Sequence, residues 1–225
     1  MSSPEKAPDA KRGREDEEEI LLKRQRAEAA QAANALGTNG EDASAAKYFL
    51  KVLIPNADAG RVIGKGGEQL KTFIEQSGAS IRLSSSDEVI PGSGERVITI
   101  GGSLHEISLA QQYIMAHLAS PRSGEEADPA AGDARALKFL VPELTAGSII
   151  GKSGAVIKDL MATSGATIKV SQPADLLRAT LERTVSLLGG VEAKNKAQAL
   201  IYERIASLPE EQHPKEINYS CLKGG

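Results

Sequence analysis

Apolar positions along the chain change period in a fixed order. Lys51-Val52-Leu53-Ile54 is a short apolar run that stops at Pro55, as a strand does when a residue without an N–H arrives. Ala59 to Ile63 reads as a helical turn into Gly64, and Glu68 to Ser77 carries Leu70, Phe73 and Ile74 at helical spacing before Gly78 stops it. Ser80 to Ser84 alternates as a half-buried strand, and Arg96 to Ile100 does the same with Ile98 and Ile100 on one face. Leu104 to Ala119 then aligns Ile107, Ala110, Ile114 and Leu118 on one helical stripe. The predicted order is strand, helix, helix, strand, strand, helix.

That order occurs twice. Pro55 and Pro142, Gly64 and Gly151, Gly78 and Gly165, Glu95-Arg96 and Glu182-Arg183, and Ala110-Gln111 and Ala197-Gln198 are all 87 residues apart. A gapless repeat of this length is too long for a solenoid unit and suits a small domain. The expected organisation is a charged tail over 1–46, a first module over 47–119, a flexible linker over 120–134, a second module over 135–208 and a tail over 209–225. The linker is rich in Pro, Gly, Ala and acids, and the last segment has no periodicity, so both it and the N-terminal tail are expected to be disordered. The copies differ most between the second and third strands: Ser85 to Gly94 is polar with a Pro91-Gly92 turn, whereas Gln172 to Leu181 holds Leu176, Leu177 and Leu181.

Composition narrows the function. No apolar run approaches the roughly 20 residues of a membrane span, so no membrane partner is expected. One cysteine, Cys221, excludes an intrachain disulfide framework. The net charge of −3 is unevenly distributed: residues 47–119 carry 7 Lys and Arg against 7 Asp and Glu, and residues 135–208 carry 10 against 6. Neither module binds tightly by bulk charge alone, which points to short, shape-defined contacts of modest affinity each. In the N-terminal tail, Lys11-Arg12 and Lys23-Arg24-Gln25-Arg26 stand ten residues apart, the layout of a bipartite nuclear import signal read by an import receptor. Lys11, Arg12, Lys23, Arg24 and Arg26 are its candidate cations. The expected location is the nucleus, with shuttling to the cytoplasm.

Candidate chemistry centres on Gly64-Lys65-Gly66-Gly67 and Gly151-Lys152-Ser153-Gly154, each between two helical segments. Glycines let the backbone turn sharply and let another backbone approach, the N–H groups opening the next helix favour an anion, and the lysine adds charge. Together they form a phosphate cradle. A nucleoside-triphosphate loop is excluded, because Gly147 to Ser153 is one residue short of that motif and Gly66 replaces the needed hydroxyl in the first copy. His105, His117 and His213 have no ligand or triad spacing shared by both copies, and no nucleophile, metal or paired-carboxylate set stands out. The expectation is a protein without catalytic function, metal or cofactor.

The Ile-Gly-Lys-x-Gly loop, the Ser-Gly-Ala-x-Ile strand start and the Glu-Arg opening of the third strand resemble the type I KH domain, above all that of the Nova splicing regulators and the poly(rC)-binding proteins. The resemblance covers about two thirds of the chain. It implies an α+β fold of two βααββα domains, each a three-stranded antiparallel sheet against three helices. It further implies a groove between the loop-flanking helices and the second strand, where the loop clamps about four single-stranded nucleotides.

Carried onto this sequence, the resemblance assigns RNA contact to Gly60, Ile63, Gly64, Lys65, Gly66, Gly67, Arg82 and Arg96, and to Gly147, Ile150, Gly151, Lys152, Ser153, Gly154, Lys169 and Arg183. Ala59, Val62, Leu70, Ile81 and Leu83, with Ala146, Ile149, Ile157, Ile168 and Val170, complete the two grooves, some of them also as core. Three Phe, four Tyr and no Trp argue against a stacking sheet of the RRM kind. A narrow aliphatic groove favours pyrimidines, being too tight for the wider purines. Ser80 and Thr167 stand where the poly(rC)-binding pattern places an arginine, which favours a Nova-like short pyrimidine-containing motif. The expected function is sequence-selective binding of single-stranded RNA that regulates splicing or mRNA fate. The alternatives are single-stranded DNA as the ligand, or a scaffold in which the leucine-bearing second copy makes protein contacts.

Overall fold

A computed structural model of the protein describes residues 48–121, 135–175, 177, 180–217 and 219. The basic clusters of the N-terminal tail and all but the start of the 120–134 linker lie outside the described residues.

The first domain runs β1 (Tyr48–Pro55), α1 (Asn56–Ile63), a 3-10 turn (Lys65–Gly67), α2 (Glu68–Ser77), β2 (Ser80–Leu83), β3 (Val89–Ile90), β4 (Glu95–Gly102) and α3 (Leu104–Ala119). The second runs β5 (Leu137–Pro142), α4 (Glu143–Ile150), a 3-10 turn (Lys152–Gly154), α5 (Ala155–Ser164), β6 (Thr167–Val170), β7 (Glu182–Leu188) and α6 (Val191–Ala206). Both are βααββα, as expected. The short β3, which pairs with β4, is reduced in the second copy to the single bridge between Leu177 and Glu182.

Left-handed glycines end the second helix of each copy, Gly78 at φ +73° and Gly165 at φ +75°. Ser103 caps α3: its hydroxyl accepts from the Glu106 N–H at 3.3 Å, and the Glu106 carboxylate accepts from the Ser103 N–H at 2.7 Å. Hydrogen bonding of the Glu106 carboxylate by the Ser103 N–H first, and by the Ser103 hydroxyl second, holds that carboxyl below its ordinary pKa.

The domains are fused. Each contributes an antiparallel sheet, β2-β4-β1 and β5-β7-β6, and antiparallel pairing of β1 with β5 joins them in the order β2-β4-β1-β5-β7-β6. Helices cover one face, and a single apolar cluster runs beneath them through both domains, including Val52 and Ile100 from the first and Phe139 and Leu187 from the second. Each fully buried side chain of this size contributes roughly 1.5–3 kcal/mol.

Four polar contacts that cross the seam form two exchanged pairs, beside unexchanged ones such as the Tyr202 hydroxyl donating to the Phe49 carbonyl at 2.8 Å and Arg135 on Asp58 at 2.7 Å. Lys51 meets Glu182, and Lys138 meets Glu95 at 2.8 Å. The Ser108 hydroxyl donates to Gln198 at 3.2 Å, and the Gln111 amide donates to Asn195 at 3.4 Å. In both exchanged pairs the second contact is the first shifted by the 87-residue repeat with the domains exchanged, so the two copies are related by an approximate two-fold axis through the β1–β5 seam.

The expectation of a disordered C-terminal tail is corrected over 209–217 and at Tyr219. The Thr145 hydroxyl donates to the Gln212 carbonyl, and the His213 ring stacks at a tilt on Tyr48 with centroids 5.4 Å apart. The chain then reaches the sheet face turned away from the helices. There Tyr219 and Ile217 pack with Leu53, Ile90, Val97, Leu140 and Leu177, and the Tyr219 hydroxyl donates to Glu182 at 3.0 Å. A strap anchored by separated side chains needs no helical or alternating period, which is why its sequence reads as unstructured.

Candidate nucleic-acid interface

Each glycine loop is built by positions with distinct demands. Gly64 has φ +74°, and a Cβ there would lie 2.6 Å from Gln69 Cβ; Gly151 has φ +72°, and its Cβ would lie 2.4 Å from Val156 Cγ2. No side chain fits at either site. Gly66 (φ +63°) and Ser153 (φ +52°) are left-handed but less crowded, which is how a serine serves in the second copy. Gly67 and Gly154 close the turns at φ +86° and +76° and lead into α2 and α5. Lys65 and Lys152 stand exposed at the tips and form no ion pair among the described residues. The loop therefore offers a lysine charge and a helix N-terminus on one exposed joint, which suits a phosphate.

Gly60 and Gly147 differ from the loop glycines. They lie inside α1 and α4, are exposed, and a Cβ on either would meet nothing within 4 Å. Glycine disfavours a helix by about 1 kcal/mol relative to alanine, and protein packing gives no reason for it here. An open strip along each helix admits a close-fitting ligand.

Beside that strip, Ile63 and Leu83 in the first copy and Ile150, Ile157 and Val170 in the second are half-buried and line apolar ground next to the loops. Ala59, Val62, Leu70 and Ile81, with Ala146, Ile149 and Ile168, are buried in the core and act as its wall from behind.

Besides Lys65 and Lys152, the four other groove cations named from sequence fall into two pairs. Arg96 and Arg183 are 8% and 7% exposed. Arg96 Nη2 donates to the Ser84 carbonyl, and Arg183 Nε donates to the Ser171 carbonyl at 2.8 Å, so each ties the end of β2 or β6 to the next strand. Burial lowers the pKa of the Arg96 guanidinium, against the attraction of Glu88 and Asp87. Its buried Nε has no hydrogen-bond partner among the described residues. Arg82 and Lys169 are exposed between the inward-facing residues of the edge strands β2 and β6. Arg82 pairs with Glu216 of the C-terminal strap.

Some features were not read from sequence. The strap and the β1–β5 seam leave no local period. The seam does leave a trace, since Lys51 and Glu95 recur at the repeat spacing as Lys138 and Glu182, but repetition does not say that partners are exchanged between copies. Of the three leucines of the divergent loop, Leu177 packs against the strap cluster, Leu181 is exposed, and Leu176 is outside the described residues.

The KH domain family profile matches residues 49–116 and 136–203, and the chain belongs to the KH-domain family. It is 32% identical over 193 residues to human RNA-binding protein Nova-2, covering 79% of this chain and 38% of that protein. It is also 32% identical over 190 residues to Drosophila melanogaster RNA-binding protein Pasilla, covering 79% of this chain and 23% of that one. The chain thus spans well under half the length of either relative. A solved structure of Dim2p from Pyrococcus horikoshii aligns over 69% of this chain and 96% of its own at 15% identity, with a TM-score of 0.23.

Proposed function

We propose that the protein binds single-stranded RNA through two KH grooves and regulates pre-mRNA splicing or mRNA fate in the nucleus. The observation that carries this reading is the doubled joint: a helix with an open glycine strip, Gly60 or Gly147, leading into a left-handed Gly-Lys-x-Gly turn with an exposed lysine. Phosphates sit on Lys65 to Gly67 and on Lys152 to Gly154. Bases lie over Gly60 and Ile63, and over Gly147 and Ile150, where aliphatic walls favour pyrimidines. Arg96 and Arg183 each hold the strand end that borders a groove, through the Ser84 and Ser171 carbonyls. Arg82 and Lys169 flank the grooves as charges for the RNA backbone. The RNA-binding relatives support the same ligand, and nuclear entry is assigned to the basic clusters at 11–26.

Single-stranded DNA shares the phosphates and lacks the 2′-hydroxyl. Selection of the full chain against random RNA and random single-stranded DNA pools tests the reading. Enrichment of short pyrimidine-containing RNA motifs is expected; equal enrichment from DNA would remove the RNA assignment.

A further inference from the structure

Leu181 has φ +55°, a left-handed conformation that a branched side chain rarely adopts. Its repeat counterpart is Gly94, at φ +65°. The backbone joint is the same in both copies: the Asn56 N–H donates to the Gly94 carbonyl at 3.1 Å, and the Glu143 N–H donates to the Leu181 carbonyl at 3.2 Å. The fold therefore calls for glycine at this joint, and the second copy places a leucine there.

Burial does not compensate for the strain, because Leu181 is 61% exposed. Leu144, which follows Glu143 and replaces Ala57 of the first copy, is 69% exposed. These are the two most exposed large aliphatic side chains among the described residues. The loop that presents Leu181 is anchored: its N–H donates to the Leu177 carbonyl at 2.7 Å, and Leu177 packs into the cluster around Tyr219. A strained, exposed apolar side chain on a held loop is better explained by a ligand than by the fold.

Its position indicates which ligand. Glu143 opens α4, and Gly147 of the groove lies one helical turn further on, about 6 Å along the axis. Leu181 therefore stands at the end of the second groove that lies away from the glycine loop. Glu143 brings a carboxylate to this rim, which disfavours a phosphate and leaves the flat face of a base as the suitable occupant. We propose that Leu181, flanked by Leu144, is an apolar platform for one nucleobase beyond the nucleotides held in the second groove, giving that groove a longer site than the first. This rests on the RNA-groove reading above.

The test uses the full chain with the first groove disabled by Lys65→Asp and Gly66→Asp. Affinities are measured by anisotropy for the RNA tetramer CUCU and for pentamers with one added nucleotide at the 5′ or the 3′ end, and urea midpoints are recorded alongside. One pentamer should bind roughly three- to tenfold tighter than the tetramer, the return expected from partly burying a leucine. Leu181→Gly should erase that gain while its urea midpoint stays the same or rises, since the strain is relieved. A gain that persists in Leu181→Gly, or no gain for either pentamer, overturns the platform and leaves the groove intact. Tetramer binding that ignores Lys152→Asp with Ser153→Asp would instead overturn the groove reading itself.

Discussion

Lys51 of the first domain is fully buried against Glu182 of the second, and the Tyr219 hydroxyl of the C-terminal strap donates to the same carboxylate. Three distant segments of the chain thus meet at one buried charge pair, so strap and domain arrangement depend on each other. Removing one buried partner strands the other charge, whereas replacing both with apolar residues often costs little. Lys51→Met should destabilise the protein by about 3 kcal/mol in urea denaturation, and Lys51→Met with Glu182→Leu should recover most of it.

The same pair gives a pH dependence. Burial pulls the Lys51 ammonium below its ordinary 10.5, with Glu182 opposing. Between the folded pKa and 10.5 the unfolded chain holds more protons, so this group adds stability as pH rises through that window. Compared with the Lys51→Met, Glu182→Leu protein, the parent should gain stability on the alkaline side; parallel pH profiles would contradict the buried pair.

Ending the chain at Leu208 removes the strap and uncovers Leu53, Val97 and Leu140 on the outer sheet face. Loss of the Tyr219 and Ile217 contacts should cost about 2 kcal/mol or more and raise binding of an apolar dye. An unchanged urea midpoint would mean that the strap does not pack in solution.

Much of the fold was legible because it is local: Pro55, the periods of α2 and α3 and the stopping glycines each act over a few residues, and the repeat shows the same local signals a second time 87 residues on. The glycine loops were legible for the same reason, since Gly64 and Gly151 are required by their own backbone angles. The seam was not, because Val52 and Phe139 read as ordinary strand residues whether their strand edges are free or paired. Arg96 and Arg183 show another limit. Residue type names a donor, but only the fold shows that the Ser84 and Ser171 carbonyls take part of its capacity. Leu181 was noticed as a leucine, and its positive φ was visible only by setting it against Gly94.

Gly60 and Gly64 should separate binding from folding. Gly60→Ala should raise stability by about 0.5–1 kcal/mol through helix propensity, and Gly60→Leu should fold while weakening RNA binding by the first domain. Gly64→Ala, with its Cβ forced against Gln69 at φ +74°, should instead lower stability by about 1–3 kcal/mol. Urea denaturation and anisotropy on the same samples check both.

Because the seam joins the domains directly, the linker does not set the distance between grooves. Five strand-to-strand steps place the edge strands β2 and β6 about 24 Å apart along the sheet. The approximate two-fold relation turns the grooves in opposite directions, so one RNA must bend around the body to fill both. Joining two motifs should therefore raise affinity only above a threshold spacer length. A steady rise from the shortest spacer would indicate independently moving domains.

RNA binding by the two glycine loops is tested most directly by titrating one two-motif RNA against four forms of the full chain: the parent, Lys65→Asp with Gly66→Asp, Lys152→Asp with Ser153→Asp, and all four changes together. The altered residues are exposed at loop tips, and two carboxylates set against phosphates repel them. Each pair should weaken binding at least tenfold, and the fourfold variant should lose it while still unfolding cooperatively, its urea midpoint lowered only by the strain of an aspartate at the φ +63° of Gly66. Parent-level affinity in the fourfold variant would contradict the account.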